Sequence, residues 1–287
     1  MTKKPPLLQI NQVTMRFGGI LALENVNFSI AEDTITALIG PNGAGKTTVF
    51  NCATGVYRPT SGDILLKKED GYLSVLDACN KKISKLDGWL IFPFMVKKFQ
   101  NLFRGSFVIN RLGVARTFQN MRLFKGMTLV ENILVAQHLD LNWNLVAGIL
   151  NTKSYAENHK KATEKAYHWL ERLQLADDAQ KLAGALPYGK ARKLEIARAM
   201  CTNPRLICLD EPAAGLNPSE TEELSRTILS LKKEYPITVF LIEHDMSMVM
   251  KISDHIVVLD HGVVIAEGNP ASIKNNQKVI DAYLGKE

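Results

Sequence analysis

Apolar and polar residues alternate through most of the first quarter of the chain. Residues 8–17 and 24–30 follow this period of two and are separated by Gly18-Gly19, which predicts two strands joined by a turn. Residues 34–39 form a short run of apolar and β-branched residues, typical of a buried strand. Residues 62–66 predict another strand, after which the pattern is lost until about residue 108. The N-terminal part of the chain is therefore predicted to be mainly β-sheet.

The period becomes helical from Thr128 onward. Thr128 and Glu131 form a capping-box pattern ahead of an apolar run, which predicts the start of a helix. Residues 156–175 predict a longer helix with one apolar face. Another helix is predicted from Pro187 to Met200, because proline is tolerated in a first turn. The apolar face of the longer helix consists of Ala162, Ala166, Trp169, Leu170 and Leu173.

Short apolar runs and helical segments alternate in the last third of the chain. Residues 205–209 and 237–242 predict buried strands that are each followed by acidic residues, and Asn217 is a candidate cap for a helix reaching about residue 234. This alternation predicts a mainly parallel α/β sheet. Residues 255–259 and 263–266 predict a hairpin, and two short helices are expected to finish the chain.

The charge of the chain is concentrated in one segment. The formal net charge of the 287 residues is +6, and residues 67–111 hold nine basic and four acidic side chains, so this stretch alone carries +5. We interpret residues 67–107 as a basic insertion. It is either a surface excursion or, through residues 89–103, a basic amphipathic element that touches a membrane or a partner. Nucleic-acid binding would favour a basic face spread over the fold, so no nucleic-acid partner is expected.

Neither a membrane span nor a transition-metal site is indicated. The densest apolar run has eight residues, whereas a spanning helix needs about 20, so we expect the chain to stay in the cytoplasm. The histidines form no HExxH pattern, and the cysteines lack zinc-ligand spacing. We expect reduced and mostly buried thiols at Cys52, Cys79, Cys201 and Cys208.

A glycine-rich segment follows the predicted strand at residues 34–39. It matches GxxxxGK[ST] and precedes a helical stretch, the context that a phosphate-binding loop (P-loop) requires. Glycines let backbone N–H groups point inward around phosphate oxygens, and the following helix directs its positive end at the same anion. We expect Lys46 to reach the β- and γ-phosphates of ATP and the Thr47 hydroxyl to bind Mg²⁺. The predicted ATP-binding segment is Gly40, Pro41, Asn42, Gly43, Ala44, Gly45, Lys46, Thr47 and Thr48.

A second acidic motif follows the apolar run at residues 206–209. A strand that ends in Asp210 can deliver a carboxylate beside a P-loop, where it holds the hydration shell of Mg²⁺. Glu211 would then lie near the γ-phosphate as the base or the group that orients water. Without the P-loop, a solvated acidic strand end would be as good an interpretation.

Further segments, taken in order, resemble the ATP-binding cassette (ABC) family. Gln119 resembles the glutamine that senses magnesium and the attacking water, and His244 resembles the switch histidine that hydrogen-bonds the γ-phosphate. Phe17 resembles the aromatic residue that stacks on adenine, and residues 214–217 stand at the position of the D-loop. The segment that resembles the signature loop, which caps the ATP of the opposite subunit, is Leu186, Pro187, Tyr188, Gly189 and Lys190.

Each of these residues also has an ordinary interpretation. On that interpretation Phe17 is a core aromatic residue of a strand, Gln119 is an ordinary loop residue, and His244 is a satisfied histidine at a strand end. The order of these residues along the chain, and the presence of the other motifs beside them, favour the functional assignment.

The resemblance implies an α/β fold with a P-loop (RecA-like) core, an antiparallel β subdomain and a helical signature subdomain. On this interpretation the chain is one ABC ATPase domain, with the core at about residues 7–66, 108–120 and 203–260. The helical subdomain would occupy about 121–202, and a C-terminal tail would occupy 261–287.

Closer resemblance is to the branched-chain amino-acid uptake ATPases, through RTFQNMRLF, LEIARAM, LDEPAAGLNP, IEHDMSMVM and VIDAYLG. It implies membrane permease subunits and a second ABC ATPase subunit, in a homodimer or a heterodimer, as partners. It also implies an extracytoplasmic substrate-binding protein as an indirect partner. The chain would then lie peripherally on the cytoplasmic side of the inner membrane.

The signature loop departs from the family pattern. Pro187, Tyr188 and Lys190 replace the common serine, first glycine and glutamine. Proline offers neither a hydroxyl nor an N–H group, so we expect the ATP site that this chain completes in its partner to be the weaker one.

Three other functions share parts of this sequence. The ATPase of a lipid or lipopolysaccharide exporter has a similar core. A soluble cassette ATPase of translation or DNA repair usually has two cassettes or coiled-coil insertions, whereas this chain has one P-loop. A regulatory cassette that binds ATP without turning it over would not need Glu211 and His244.

Overall fold

Two β-sheets form the frame of the molecule. A computed structural model describes residues 5–80, 107–137 and 153–284. Numbered along the chain, the strands are β1 (Pro6–Phe17), β2 (Ile20–Ala31), β3 (Ile35–Ile39), β4 (Ser61–Lys68), β5 (Gly71–Ser74), β6 (Val114–Arg116), β7 (Leu206–Asp210), β8 (Thr238–Ile242), β9 (His255–Asp260) and β10 (Val263–Gly268).

The strands divide into an antiparallel sheet and a mainly parallel one. The first has the order β2-β1-β4-β5, with all neighbours antiparallel. The second has the order β10-β9-β3-β8-β7-β6, and its strands from β9 to β6 are parallel. The hairpin of β9 and β10 adds the antiparallel edge. Because parallel strands end at the same edge of a sheet, the loops after β3, β6, β7 and β8 are brought together.

Helices cover both faces of the larger sheet and form a separate layer beside it. The first half of the chain contributes α1 (Lys46–Ala53), α2 (Val75–Asn80) and α3 (Leu129–Ala136). The second half contributes α4 (Lys153–Arg172), α5 (Tyr188–Met200), α6 (Pro218–Glu234), α7 (Met246–Ile252), α8 (Pro270–Lys274) and α9 (Gln277–Leu284).

Two capping boxes fix the starts of α3 and α6. The Thr128 hydroxyl accepts from the N–H of Glu131, whose carboxylate accepts from the Thr128 N–H. Asn217 and Glu220 make the same reciprocal pair. The predicted caps at Thr128 and Asn217 are therefore confirmed.

The predicted long helix ends earlier than its apolar pattern. It closes at Arg172, and Gln174 adopts a left-handed backbone with φ 59°. The N–H of Leu175 then donates to the carbonyl of Leu170 at 2.7 Å, as in a helix C-cap. The predicted apolar face is confirmed: its five residues are all less than 5% exposed.

Aromatic residues join the two sheets through one apolar core. Phe240 on β8 lies between Phe50 on α1 and Phe28 on β2, with ring centroids 5.4 and 6.1 Å away. A second core lies under α3, α4 and α5 and contains Trp169. The α/β fold with an antiparallel sheet, expected from the sequence, is confirmed.

The segment after residue 66 begins with structure that the pattern did not reveal. Strand β4 extends to Lys68, β5 pairs with it, and Val75 at the start of α2 is 1% exposed. Residues 81–106, with most of the predicted basic insertion, lie outside the described residues. Within the described ranges, no helix is long and apolar enough to cross a membrane.

Candidate ATP-hydrolysis site

The P-loop joins β3 to α1 and has a backbone that its glycines permit. Gly40, Gly43 and Gly45 have positive φ angles of 152°, 81° and 98°. A Cβ atom on Gly40 would lie 2.0 Å from the carbonyl oxygen of Leu259, and one on Gly45 would lie 2.8 Å from that of Ala22. Gly45 is also the N-cap of α1 and makes no side-chain cap. The first N–H groups of this helix are thus available to an anion in the loop.

Lys46 lies across the loop that it follows. Its side chain is largely buried, and Nζ donates to the carbonyl oxygens of Gly40 and Pro41 at 2.8 and 2.9 Å. Burial lowers the pKa of Lys46, and the nearby charge of Glu211 opposes that shift. The loop therefore presents a positive charge next to a carboxylate of the second motif.

Asp210 is a buried carboxylate at the end of β7. It is 3% exposed, and Arg116 at the end of β6 donates to its Oδ2 at 3.1 Å. Burial raises the pKa of Asp210, and the Arg116 guanidinium opposes this rise. Arg116 also donates to Asn51 Oδ1 at 2.7 Å and Thr54 Oγ1 at 2.8 Å. One guanidinium thus joins the strand-end carboxylate to α1, the helix that follows the P-loop.

Glu211, Gln119 and His244 meet at the carboxyl ends of three neighbouring strands. Gln119 Nε2 donates to Glu211 Oε2 at 2.8 Å, and His244 Nδ1 lies 3.9 Å from the same oxygen. Glu211 has a left-handed backbone with φ 46°, and its N–H donates to the carbonyl of Ile242 on β8. The structure therefore brings together the predicted base, glutamine and switch histidine around one carboxylate.

Glu243 ties the loop of Glu211 to the loop of His244. Its side chain is fully buried, and Oε1 accepts from the N–H of Ala213 at 2.7 Å. Oε2 accepts from the N–H groups of His244 at 3.0 Å and Asp245 at 3.3 Å. Burial raises the pKa of Glu243, whereas these N–H donors lower it. The carboxylate fixes the relative position of the two loops.

Phe17 is an exposed aromatic residue rather than a core residue. It is 42% exposed and makes an edge contact with Tyr57, at 5.4 Å between centroids. Tyr57 follows α1, so the two rings stand beside the P-loop helix. Phe17 is accessible to a flat ligand, as stacking on adenine would require.

The signature segment begins α5. Pro187 is the N-cap of this helix and provides no side-chain cap. The Tyr188 ring packs against Gly215, where an added Cβ atom would lie 3.3 Å from it. Lys190 Nζ donates to Asp178 Oδ2 at 2.6 Å, so a nearby carboxylate balances its charge.

Sequence reasoning gave no role to four residues around the site: Arg116, Arg192, Glu243 and Tyr57. Arg116 begins the RTFQNMRLF segment and Glu243 lies in IEHDMSMVM, directly before His244, so membership of these segments was an available signal for both. Arg192 follows the signature segment by two positions, so it carried the same signal, whereas Tyr57 carried none because its contact with Phe17 joins distant segments.

Known proteins are similar to this chain along almost its full length. The sequence profile of the ABC transporter family matches residues 23–90 and 96–214, and that of the branched-chain amino acid ATP-binding cassette transporters matches residues 263–287. The high-affinity branched-chain amino acid transport ATP-binding protein BraF of Pseudomonas aeruginosa is 49% identical over 281 residues. The corresponding LivG of Escherichia coli is 47% identical over 281 residues, and in both cases 98% of each chain is covered.

Solved structures show the same fold. A crystal structure of an ABC transporter cassette in its ADP conformation has a TM-score of 0.74 and 28% identity, covering 99% of this chain and 100% of that one. A nucleotide-free cassette has a TM-score of 0.74 and 29% identity, covering 98% of this chain and 100% of that one. The predicted P-loop fold of an ABC ATPase is confirmed. The chain belongs to the ABC transporter family and is an ATP-binding and ATP-hydrolysing cassette of it.

Proposed function

We propose that this cassette energises the uptake of branched-chain amino acids through membrane permease subunits. The observation that carries the proposal is the 49% and 47% identity to two branched-chain amino acid transport ATPases over 98% of each chain. The C-terminal match at residues 263–287 supports the same subgroup independently of the common nucleotide motifs.

Glu211 is the proposed base or water-orienting group for hydrolysis. The Gln119 amide holds its carboxylate at 2.8 Å, and His244 lies within 4 Å. A carboxylate fixed in this way can accept a proton from an attacking water, while Lys46 balances the charge that develops on the phosphates. The cluster supports turnover rather than ATP binding alone.

Magnesium is the proposed metal, and the donor set fits it. Thr47 provides a hydroxyl at the start of α1, and Asp210 provides a carboxylate at the end of β7. Gln119 provides a side-chain amide in the loop after β6, the strand that pairs with β7. Few protein oxygens of this kind suit Mg²⁺, which takes its other ligands from phosphates and water. When bound, the ion would neutralise charge on the phosphates.

The proposed assembly contains a second ABC ATPase subunit, identical or a sister chain. The signature segment, residues 186–190, would cap the ATP held by that subunit, and Phe17 would contact adenine in this chain's own site. A substrate-binding protein outside the cytoplasm would deliver the amino acid to the permease. We place this chain peripherally on the cytoplasmic side of the inner membrane.

Uptake of labelled leucine by cells lacking this chain tests the proposal. Wild type should restore uptake, whereas Lys46→Ala and Glu211→Gln should leave it at background at equal protein levels. Lys160→Ala, which changes an exposed lysine on α4, is the matched control and should restore uptake fully. Leucine uptake that does not depend on the chain would overturn the solute assignment. Full uptake with Glu211→Gln would overturn the assigned role of that carboxylate.

A further inference from the structure

A buried ion pair on α5, the helix that begins with the signature segment, binds the backbone of Phe118, which directly precedes Gln119. Arg192, which is 0% exposed, donates to Glu195 Oε2 at 2.8 Å one turn along α5. The other oxygen of Glu195 accepts from the N–H of Phe118 at 3.1 Å, and Arg192 Nη1 donates to the carbonyl of Phe118, also at 3.1 Å. Both backbone groups of Phe118 are therefore held by the same pair of charges.

This arrangement is better suited to fixing position than to adding stability. Removing two charges from water is costly, and apolar residues of similar size often stabilise a core as well or better. A buried pair that also bonds a neighbouring loop makes its contribution by holding that loop in one place. The loop held here is the one that carries Gln119.

The same guanidinium reaches the signature segment and the backbone of Gln119. Arg192 Nη2 lies 3.1 Å from the Tyr188 hydroxyl and donates to the carbonyl oxygen of Gln119 at 3.3 Å. The Tyr188 ring packs on Gly215, in the loop that follows Glu211. The side-chain amide of Gln119 in turn donates to Glu211 Oε2. A continuous set of contacts thus runs from the signature segment to the catalytic carboxylate.

We propose that Arg192 is a positioning residue through which the signature segment, by the Tyr188 hydroxyl, sets the position of Gln119 on Glu211 within the same chain. A change of the signature segment on meeting the second subunit would then be transmitted to this chain's own hydrolysis site. Arg192 contacts the backbone of Gln119, and Gln119 contacts Glu211, so Arg192 acts through Gln119. The inference rests on the proposed role of Glu211 in hydrolysis, but it does not depend on which solute is transported.

Tyr188→Phe is the most selective test, because it removes one hydroxyl and keeps the ring on Gly215. ATP hydrolysis is measured on the complex that co-purifies with the full-length tagged chain, and the rate left by Lys46→Ala is subtracted to isolate this chain's own site. Tyr167→Phe is the matched control. It removes the hydroxyl of a tyrosine of similar exposure, and that hydroxyl accepts from Gln180 Nε2.

Losing a hydrogen bond to a charged group should lower the maximal hydrolysis rate about 10-fold in Tyr188→Phe. The KM for ATP and the melting temperature should stay unchanged, and Tyr167→Phe should match wild type. In a Gln119→Ala background the same Tyr188→Phe change should lower the rate less than about 2-fold, because residues that act through one another are not additive. In the otherwise wild-type chain, Arg192→Lys should also lower the hydrolysis rate. In the Gln119→Ala background it should have little further effect, provided that its melting temperature is that of wild type.

Two results would overturn the inference. One is a Tyr188→Phe rate within about 2-fold of wild type, and the other is an equal loss with and without the Gln119 side chain. The latter would place the effect of Tyr188 on the Gly215 loop or on the second subunit. If Glu211→Gln kept the wild-type hydrolysis rate, the proposed catalytic role would fail instead, which separates the two failures.

Discussion

Arg116 is the position at which the structure gives the sharpest quantitative prediction. Its side chain is 13% exposed and the side chain of its partner Asp210 is 4% exposed, so the pair is screened little by water. The change Arg116→Met keeps much of the side-chain volume over Phe50 but leaves Asp210 buried without a countercharge. Breaking one half of a buried pair costs about 3 kcal/mol or more in the free energy of unfolding.

The loss should depend on pH in a defined direction. Burial already raises the pKa of Asp210, and Arg116 opposes that rise. Without Arg116 the pKa in the folded protein rises further, while that of the unfolded chain is unchanged. The folded state then binds a proton that the unfolded state has released, so stability falls as pH rises through this window. The variant should therefore be closer to wild type at pH 5 than at pH 8.

Urea denaturation at the two pH values measures this effect. With a denaturant slope of about 3 kcal/mol per molar, a loss of 3 kcal/mol lowers the midpoint by about 1 M at pH 8. Adding Asp210→Asn should recover part of the loss, because the uncompensated charge is removed. Arg172→Met, which breaks a surface pair with Glu234, should show no comparable change between pH 5 and 8. A midpoint shift that is the same at both pH values, or a double variant no more stable than Arg116→Met, would refute the reasoning.

Three further measurements follow from the site. Gly40→Ala should lower the free energy of unfolding by at least about 2 kcal/mol and abolish ATP binding, because its Cβ atom would overlap the carbonyl of Leu259. Gly19→Ala is the control and should do neither, because the space around Gly19 is open. Pro187→Ser should raise ATP hydrolysis by the assembled complex by restoring a hydroxyl to the signature segment, and an unchanged rate would contradict the weak-site interpretation. Burial raises the pKa of both Cys52 and Cys208 to about 12, so a thiol reagent at pH 8 should modify Cys79 first, and Cys79→Ser should remove that fast phase.

Most elements of the fold could be predicted because their signals are local. The alternation of residues 8–17 and 24–30, the cap at Asn217 and the glycines of the P-loop each specify a backbone conformation within a few neighbours. The long helix was placed with its correct apolar face but extended three residues too far, because Leu173 and Leu175 remain buried after the helix has ended. Strand β5 was missed, since Gly71–Ser74 is too short to show a period.

The supporting residues of the site could not be predicted for the opposite reason. Arg192 and Gln119 are 73 positions apart, and Arg116 and Asp210 are 94 apart. A buried arginine looks like any surface arginine in the sequence, and only the strand order brings its partners together. Lys190 likewise gains its partner only in the fold, because its ammonium contacts Asp178, 12 positions away.

Buried charges in this molecule are concentrated at the loops that end the parallel strands. Glu195 and Arg192 hold the loop of Phe118, and Glu243 holds the loops that follow Glu211 and precede α7. Apolar packing would fix such loops only as part of the core, which resists small displacements. Hydrogen bonds to a buried charge fix them just as firmly but can be exchanged one at a time. The loops that we propose respond to nucleotide and to a second subunit can therefore change position while the core beneath them, from Phe28 to Phe240, stays closed.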